Sequence, residues 1–135
     1  MSAPPASVVA VYPVADKNLS TDSKIKYADA KPLSTQDLPW FLGNYLANPA
    51  EVSNPWISLV DANLSGLPPT TIIGAELDPL QTEGKELADK LSAAGVSTTY
   101  KLYSGVTHEF FGMSGGLPEA RAAEDMAAAQ LKKYF

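Results

Sequence analysis

The stretch TTIIGAELDPLQTEGKELADKLSAAGVSTTYKLYSGVTH, from Thr70 to His108, decides how this chain folds. It opens with Thr70–Ala75, a short run without polar alternation, which suits a strand covered on both faces in a parallel sheet. Leu80, Gly84, Leu87, Ala88 and Leu91 then recur at helical spacing, and Gly95 stands where a left-handed C′ glycine would end that helix. Val96–Tyr103 reads as a second strand by its alternation and β propensity, and Ser104-Gly105 reads as a turn. Strand, helix and strand make a β–α–β unit, whose strands are expected to be parallel and whose crossover is expected to be right-handed.

Upstream of the unit, Val8–Tyr12 is an apolar, β-branched run stopped by Pro13, and predicts one more buried strand. Residues 15–37 are polar and mixed, and read as an excursion away from the core. Pro39–Ala47 predicts a helix with its proline in the first turn, carrying Trp40, Phe41 and Tyr45. These aromatics are expected in a core or an interface more than in a pocket. Asn48–Pro69 holds turn signals at Asn54-Pro55, Ser65-Gly66 and Pro68-Pro69. Downstream, Pro118–Phe135 predicts a final amphipathic helix.

Composition narrows the function. The 135 residues are 45% hydrophobic and 19% charged, ordinary for one small core-forming domain. Of 11 prolines, most precede residue 70, where irregular structure is expected. A net charge of −5 without a Lys/Arg cluster argues against a nucleic-acid partner. No apolar run is long enough to span a bilayer as a helix. The N-terminus lacks the basic region of a signal peptide, so Ser7–Val14 reads as structure. Cysteines are absent, which removes disulfides and thiolate chemistry but suits any compartment. One histidine and no cysteine leave a metal site with carboxylates alone, and no P-loop or G-x-G-x-x-G appears, so neither a metal nor a cofactor is expected.

Two residues stand where chemistry is done. Asp78 follows the first strand of the unit and His108 follows the second. Parallel strands place their C-terminal ends on one edge of the sheet, where open α/β sheets bind ligands. With neighbouring strands about 4.8 Å apart, the two side chains can meet. An aspartate at the imidazole Nδ1–H fixes the tautomer and leaves Nε2 as a general base. Each residue also has a plainer reading. Asp78-Pro79, with Gln81 three residues on, is a helix N-cap signal, and a lone histidine is commonly structural. Phe110 and Phe111 are expected to pack beneath the histidine loop. A nucleophile is harder to find. Gly112-Met113-Ser114-Gly115-Gly116 matches G-x-S-x-G, but the motif needs a strand before it and a helix directly after it. It also follows the histidine, whereas α/β hydrolases run Ser, Asp, His. Ser114 therefore reads as loop.

Leu67–Leu80 (LPPTTIIGAELDPL), Glu83-Gly84 and Tyr103–Phe111 (YSGVTHEFF) together resemble the hormone-sensitive lipase branch of the α/β hydrolases. The resemblance covers nearly the whole chain and is strongest from Leu67 to Gly112. It implies that Asp78, in the D-P-L motif, is the triad acid and His108, in the H-x-F motif, the triad base. Many members have glycine where this chain has Glu109, although H-E-F-F-G also occurs among bacterial esterases. The family's cap, its HGGG oxyanion loop and its G-D-S-A-G nucleophile motif would all lie upstream of Val8, and none is in these residues. The Met1 start suggests a truncated product or one part of a divided enzyme.

The expectations are then an α/β fold, the C-terminal part of an α/β hydrolase, with parallel strands and flanking helices. Residues 1–135 would form a single partial domain. The function implied is a carboxylic ester hydrolase of the serine esterase or lipase type, acting on small acyl esters. This chain would supply Asp78 and His108 to a larger parent enzyme and be inactive alone. The alternative is a catalytically inactive fragment that self-associates, or pairs with its missing N-terminal half, through an open sheet edge. A peptidase or thioesterase would share the fold and change the reaction.

Overall fold

A computed structural model describes residues 4–135. Three strands form one sheet in the order β1-β2-β3: β1 is Val8–Val11, β2 is Thr70–Leu77 and β3 is Thr98–Thr107. Both pairings are parallel. The helices are α1 (Asp22–Lys26), α2 (Asp37–Tyr45), α3 (Gln81–Ala93) and α4 (Pro118–Lys132). Short 3₁₀ turns cover Pro49–Ser53, Leu59–Asp61 and Phe110–Gly112. Among the described residues no helix is long and apolar enough to cross a membrane.

The central strand explains why Thr70–Ala75 lacks polar alternation. Ile72 faces one layer, with Leu87, Ala88 and Leu91 of α3 together with Val60, Leu64 and Val96. Ile73 and Ala75 face the other, with Tyr103, Val106, Phe110 and the alanines Ala120, Ala123 and Ala127 of α4. Small residues on α4 let that helix sit close to the sheet. Both isoleucines are completely buried, so each side of β2 needs an apolar side chain. β1 is different: all four of its residues are only half-buried, because it pairs with β2 on one side and has an open edge on the other. The expected burial of this strand is therefore met on one side alone.

The end of α3 follows the glycine signal. Gly95 takes φ +81°, its N–H donates to Ser92 O at 3.0 Å, and Val96 N–H reaches back to Leu91 O at 3.0 Å. These are the paired bonds of a Schellman ending. The Ser104-Gly105 turn is corrected: β3 continues through it to Thr107, and the two residues form a bulge. Ala75 pairs with Tyr103 and Leu77 with Thr107, so the partner strand advances two residues while β3 advances four. Gly105 takes φ +75° there, and its N–H donates to Glu76 Oε2 at 2.7 Å, which keeps β3 in the sheet instead of turning it away.

The polar segment 15–37 does not leave the core as expected. Its Lys24 side chain is buried and forms an ion pair with Glu83 of α3, which is completely buried. Lys24 Nζ also donates to the carbonyls of Asp16 (3.1 Å) and Asn18 (2.6 Å). Glu83 Oε1 accepts the N–H of Ala15 (2.7 Å) and of Asp16 (3.3 Å). Beside it, Ser23 Oγ donates to Pro79 O at 2.6 Å and accepts from Thr82 N–H at 3.0 Å. Burial pushes the Glu83 carboxyl above its ordinary range, and Lys24 and the two backbone donors oppose that shift. A segment that reads as solvated loop is thus held against the first turn of α3.

Candidate active site

Three chain segments end on the same edge of the sheet: Tyr12 after β1, Asp78 after β2 and His108 after β3. Asp78 and His108, 30 residues apart in sequence, meet at 2.8 Å between Oδ2 and Nδ1. The other oxygen of Asp78 accepts the Leu80 N–H at 2.8 Å. Asp78 therefore makes two contacts at once, although it is not the N-cap of α3. One oxygen holds the entrance to α3 while the other faces the imidazole. The formal N-cap position falls to Leu80, which has no capping side chain.

Asp78 is completely buried, whereas the His108 side chain is 14% exposed and lines an open cleft of about 930 Å³. A carboxylate fixed behind the ring, with the ring itself reachable from a cleft, is the arrangement of an oriented general base. The bend that follows begins at Glu109, whose φ of +71° explains why glycine suits that position. The Glu109 carboxylate is 62% exposed, with Oε1 3.8 Å from His108 Nε2. Phe110 then packs inward beneath the loop, 5.5 Å from the ring centre of Tyr103, with Phe111 partly buried in the same cluster.

Sequence reasoning missed Tyr12. Its ring centre lies 4.1 Å from that of His108 and 6.1 Å from that of Phe110. Burial raises the pKa of its phenol above the ordinary tyrosine value, and the carboxylates of Glu109 and Asp78 add to that. Tyr12 closes the apolar run Val8–Tyr12, and no pattern in that run marks its last residue as a neighbour of a histidine.

The aromatic residues of α2 are not core. Trp40, Phe41 and Tyr45 are 65%, 53% and 76% exposed and line the same cleft as His108. Leu38 is the buried residue of α2, clustered with Leu33 and Leu80, so one leucine anchors the helix and its aromatic rings stand over the cleft. Trp56, from the following loop, joins them and is 87% exposed. Ser114 lies in a turn between the 3₁₀ segment Phe110–Gly112 and α4, without the preceding strand of a nucleophile elbow. Among the described residues no group of three His, Cys, Asp or Glu side chains gathers as a metal site.

Comparison with known proteins agrees with this fold. The family described as having the alpha/beta hydrolase fold matches residues 1–112. An ethyl acetate hydrolase of Pseudomonas putida is 32% identical over 134 residues, spanning 98% of this chain and 42% of that protein. The carboxylic ester hydrolase LipN of Mycobacterium tuberculosis is 33% identical over 111 residues, 78% of this chain and 30% of its own length. Among solved structures, an esterase of Pyrobaculum calidifontis superposes with a TM-score of 0.90 at 34% identity, covering 95% of this chain and 43% of that one. EstE1, a thermostable carboxylesterase cloned from a metagenomic library, gives 0.90 at 31% identity, covering 95% and 45%. The chain thus spans less than half the length of these relatives. Fold and sequence agree, and the chain belongs to the α/β-hydrolase fold family, in its hormone-sensitive-lipase-type branch.

Proposed function

We propose that this chain supplies the acid, Asp78, and the base, His108, of a serine esterase whose nucleophile lies outside these 135 residues. The observation that carries the reading is the 2.8 Å contact between Asp78 Oδ2 and His108 Nδ1 at the ends of adjacent parallel strands, beside an open cleft. With Nδ1–H donating to the carboxylate, Nε2 keeps its lone pair. It would take the proton of a serine as that oxygen attacks the acyl carbon of an ester, then return it to the departing alcohol. Water, activated by the same nitrogen, would release the acid from the acyl-enzyme. The aromatic wall of Trp40, Phe41 and Tyr45 suits the apolar part of a small ester. The 135 residues would then be one portion of a single hydrolase domain.

The test is to treat the purified chain with a fluorophosphonate ester, whose phosphorus an activated serine attacks with loss of fluoride, and to read its intact mass. An unchanged mass with negligible ester hydrolysis is the expected result. Addition of one probe that disappears in His108→Ala would place a nucleophile inside the chain and refute this division of the triad.

A second reading has its own observation. β1 presents an open edge with half-buried apolar residues, a template for pairing with another strand. The occupant would be the nucleophile-bearing portion of the enzyme or a second copy of this chain. Sedimentation separates the two: a dimer of the isolated chain favours self-pairing, and a monomer with dye-accessible apolar surface favours the missing portion.

A further inference from the structure

Among the described residues, the non-glycine positions with positive φ are Tyr12 (+35°) and Glu109 (+71°), and both adjoin His108. Positive φ is rare for an aromatic residue, and Tyr12 is also followed by Pro13, which favours extended backbone before it. Strain of this kind persists where the surrounding structure enforces it, commonly at functional sites.

The strain has a visible consequence along β1. Its side chains alternate: Ala10 packs with the α3 layer, whereas Val9 and Val11 pack with the α4 layer. Continued alternation would send Tyr12 to the α3 side with Ala10. Instead Tyr12 lies in the α4 layer with Val11 and Phe110. Its N–H still donates to Ile73 O at 2.7 Å, so the backbone stays in the ladder while the side chain changes face. The result is a run of rings from β3 to the site: Tyr103 to Phe110 at 5.5 Å, Phe110 to Tyr12 at 6.1 Å, and Tyr12 to His108 at 4.1 Å.

We infer that Tyr12 is a positioning residue for His108: its strained backbone turns the phenol ring onto the imidazole, which it holds against rotation so that Nδ1 stays on Asp78. This rests on the reading of Asp78 and His108 as acid and base. A carboxylate at Nδ1 holds one atom of the imidazole, and the Tyr12 ring, 4.1 Å away between centres and tilted by 49°, restricts the remaining swing about the Cα–Cβ and Cβ–Cγ bonds. The charged and titratable groups around the imidazole are Asp78 after β2, Glu109 on the same loop and the Tyr12 phenol after β1, while Asp16, Lys24 and Asp37 line the shared cleft. Packing of one ring against another needs no hydroxyl, so phenylalanine should substitute.

His108 is the one histidine of the chain, so its ring nitrogens give a single set of signals in a ¹⁵N-histidine spectrum. In the unmodified chain, cross-peaks between Tyr12 and His108 ring protons are expected, with the imidazole protons shifted upfield by the tyrosine ring. In the neutral ring a single tautomer, protonated at Nδ1, is expected. Tyr12→Leu should lose the upfield shift and mix the tautomers, while Tyr12→Phe should keep both features. Missing cross-peaks in the unmodified chain would overturn the inference even if Tyr12→Leu fails to fold. So would a folded Tyr12→Leu with an unchanged tautomer, or a Tyr12→Phe as mixed as Tyr12→Leu. None of these signals requires turnover, so a failure of the esterase reading would appear in the ester assay and leave the ring spectrum untouched.

Discussion

The unit from Thr70 to Thr107 and the segment from Ala15 to Pro69 occupy the same small domain and are ordered by different physics. The first is held by repetition: β2 buries both faces, α3 lays Leu87, Ala88 and Leu91 on one of them, and the strand ends carry Asp78 and His108. The second has two short helices and two 3₁₀ turns, with few apolar anchors. Beside Val60 and Leu64, which join the α3 layer, single polar contacts order it, foremost Lys24 on Glu83 and Ser23 on Pro79 and Thr82. Further along, Lys90 Nζ donates to Val60 O at 2.7 Å, again tying the segment to α3. A repeated apolar pattern distributes stability over many contacts, whereas a polar staple concentrates it in one or two.

The comparison can be broken at three points. The largest effect belongs to the unit. In the enzyme completed by its nucleophile, Asp78→Asn should lower kcat for a short ester by about 10⁴-fold, because the imidazole would present the wrong tautomer. A loss below about tenfold would remove Asp78 from the triad.

The next effect belongs to the segment. Lys24→Met strands Glu83 as an unpaired buried carboxylate, and should cost about 3–5 kcal/mol in denaturant unfolding of the chain. The pH dependence follows from the raised Glu83 pKa. A carboxyl that holds its proton more tightly folded than unfolded favours folding most at low pH, and that contribution is lost as pH rises through the folded value. The Lys24→Met deficit should therefore be small below the ordinary glutamate value of 4.5 and grow as pH rises through the raised folded value. A deficit independent of pH would show that the staple acts through packing of the lysine stem.

The smallest effect sharpens the contrast. Trp56→Ala removes a side chain that is 87% exposed, and should change stability by less than about 0.5 kcal/mol. A larger loss would mean that the aromatic residues over the cleft belong to the core after all.

The legibility of the two regions follows the same division. Asp78 and His108 were readable because each terminates a strand, and parallel strands bring such ends together whatever the intervening residues are. The bulge at Ser104-Gly105 reads as a turn, since glycine marks both, and pairing of β3 with β2 resumes beyond it at Thr107. Lys24 and Glu83 were invisible as a pair because a charge in a polar run reads as solvated, and nothing local says which will be buried together. Trp40, Phe41 and Tyr45 read as core or interface residues and are not core: they stand over a cleft, because side-chain size says how much a residue can bury and not what lies opposite it.

By itself the sequence determined the β–α–β unit, the parallel pairing, the Gly95 ending and the meeting of Asp78 with His108. These follow from periodicity and from the geometry of strand ends, both local properties of the chain. Only the tertiary structure decided that Tyr12 leaves the alternation of β1 to lie on the imidazole, that Lys24 is buried on Glu83, and that the aromatic rings of α2 face the cleft. Each of these depends on which distant surfaces come into contact, and long-range contact carries no period that a stretch of sequence could display.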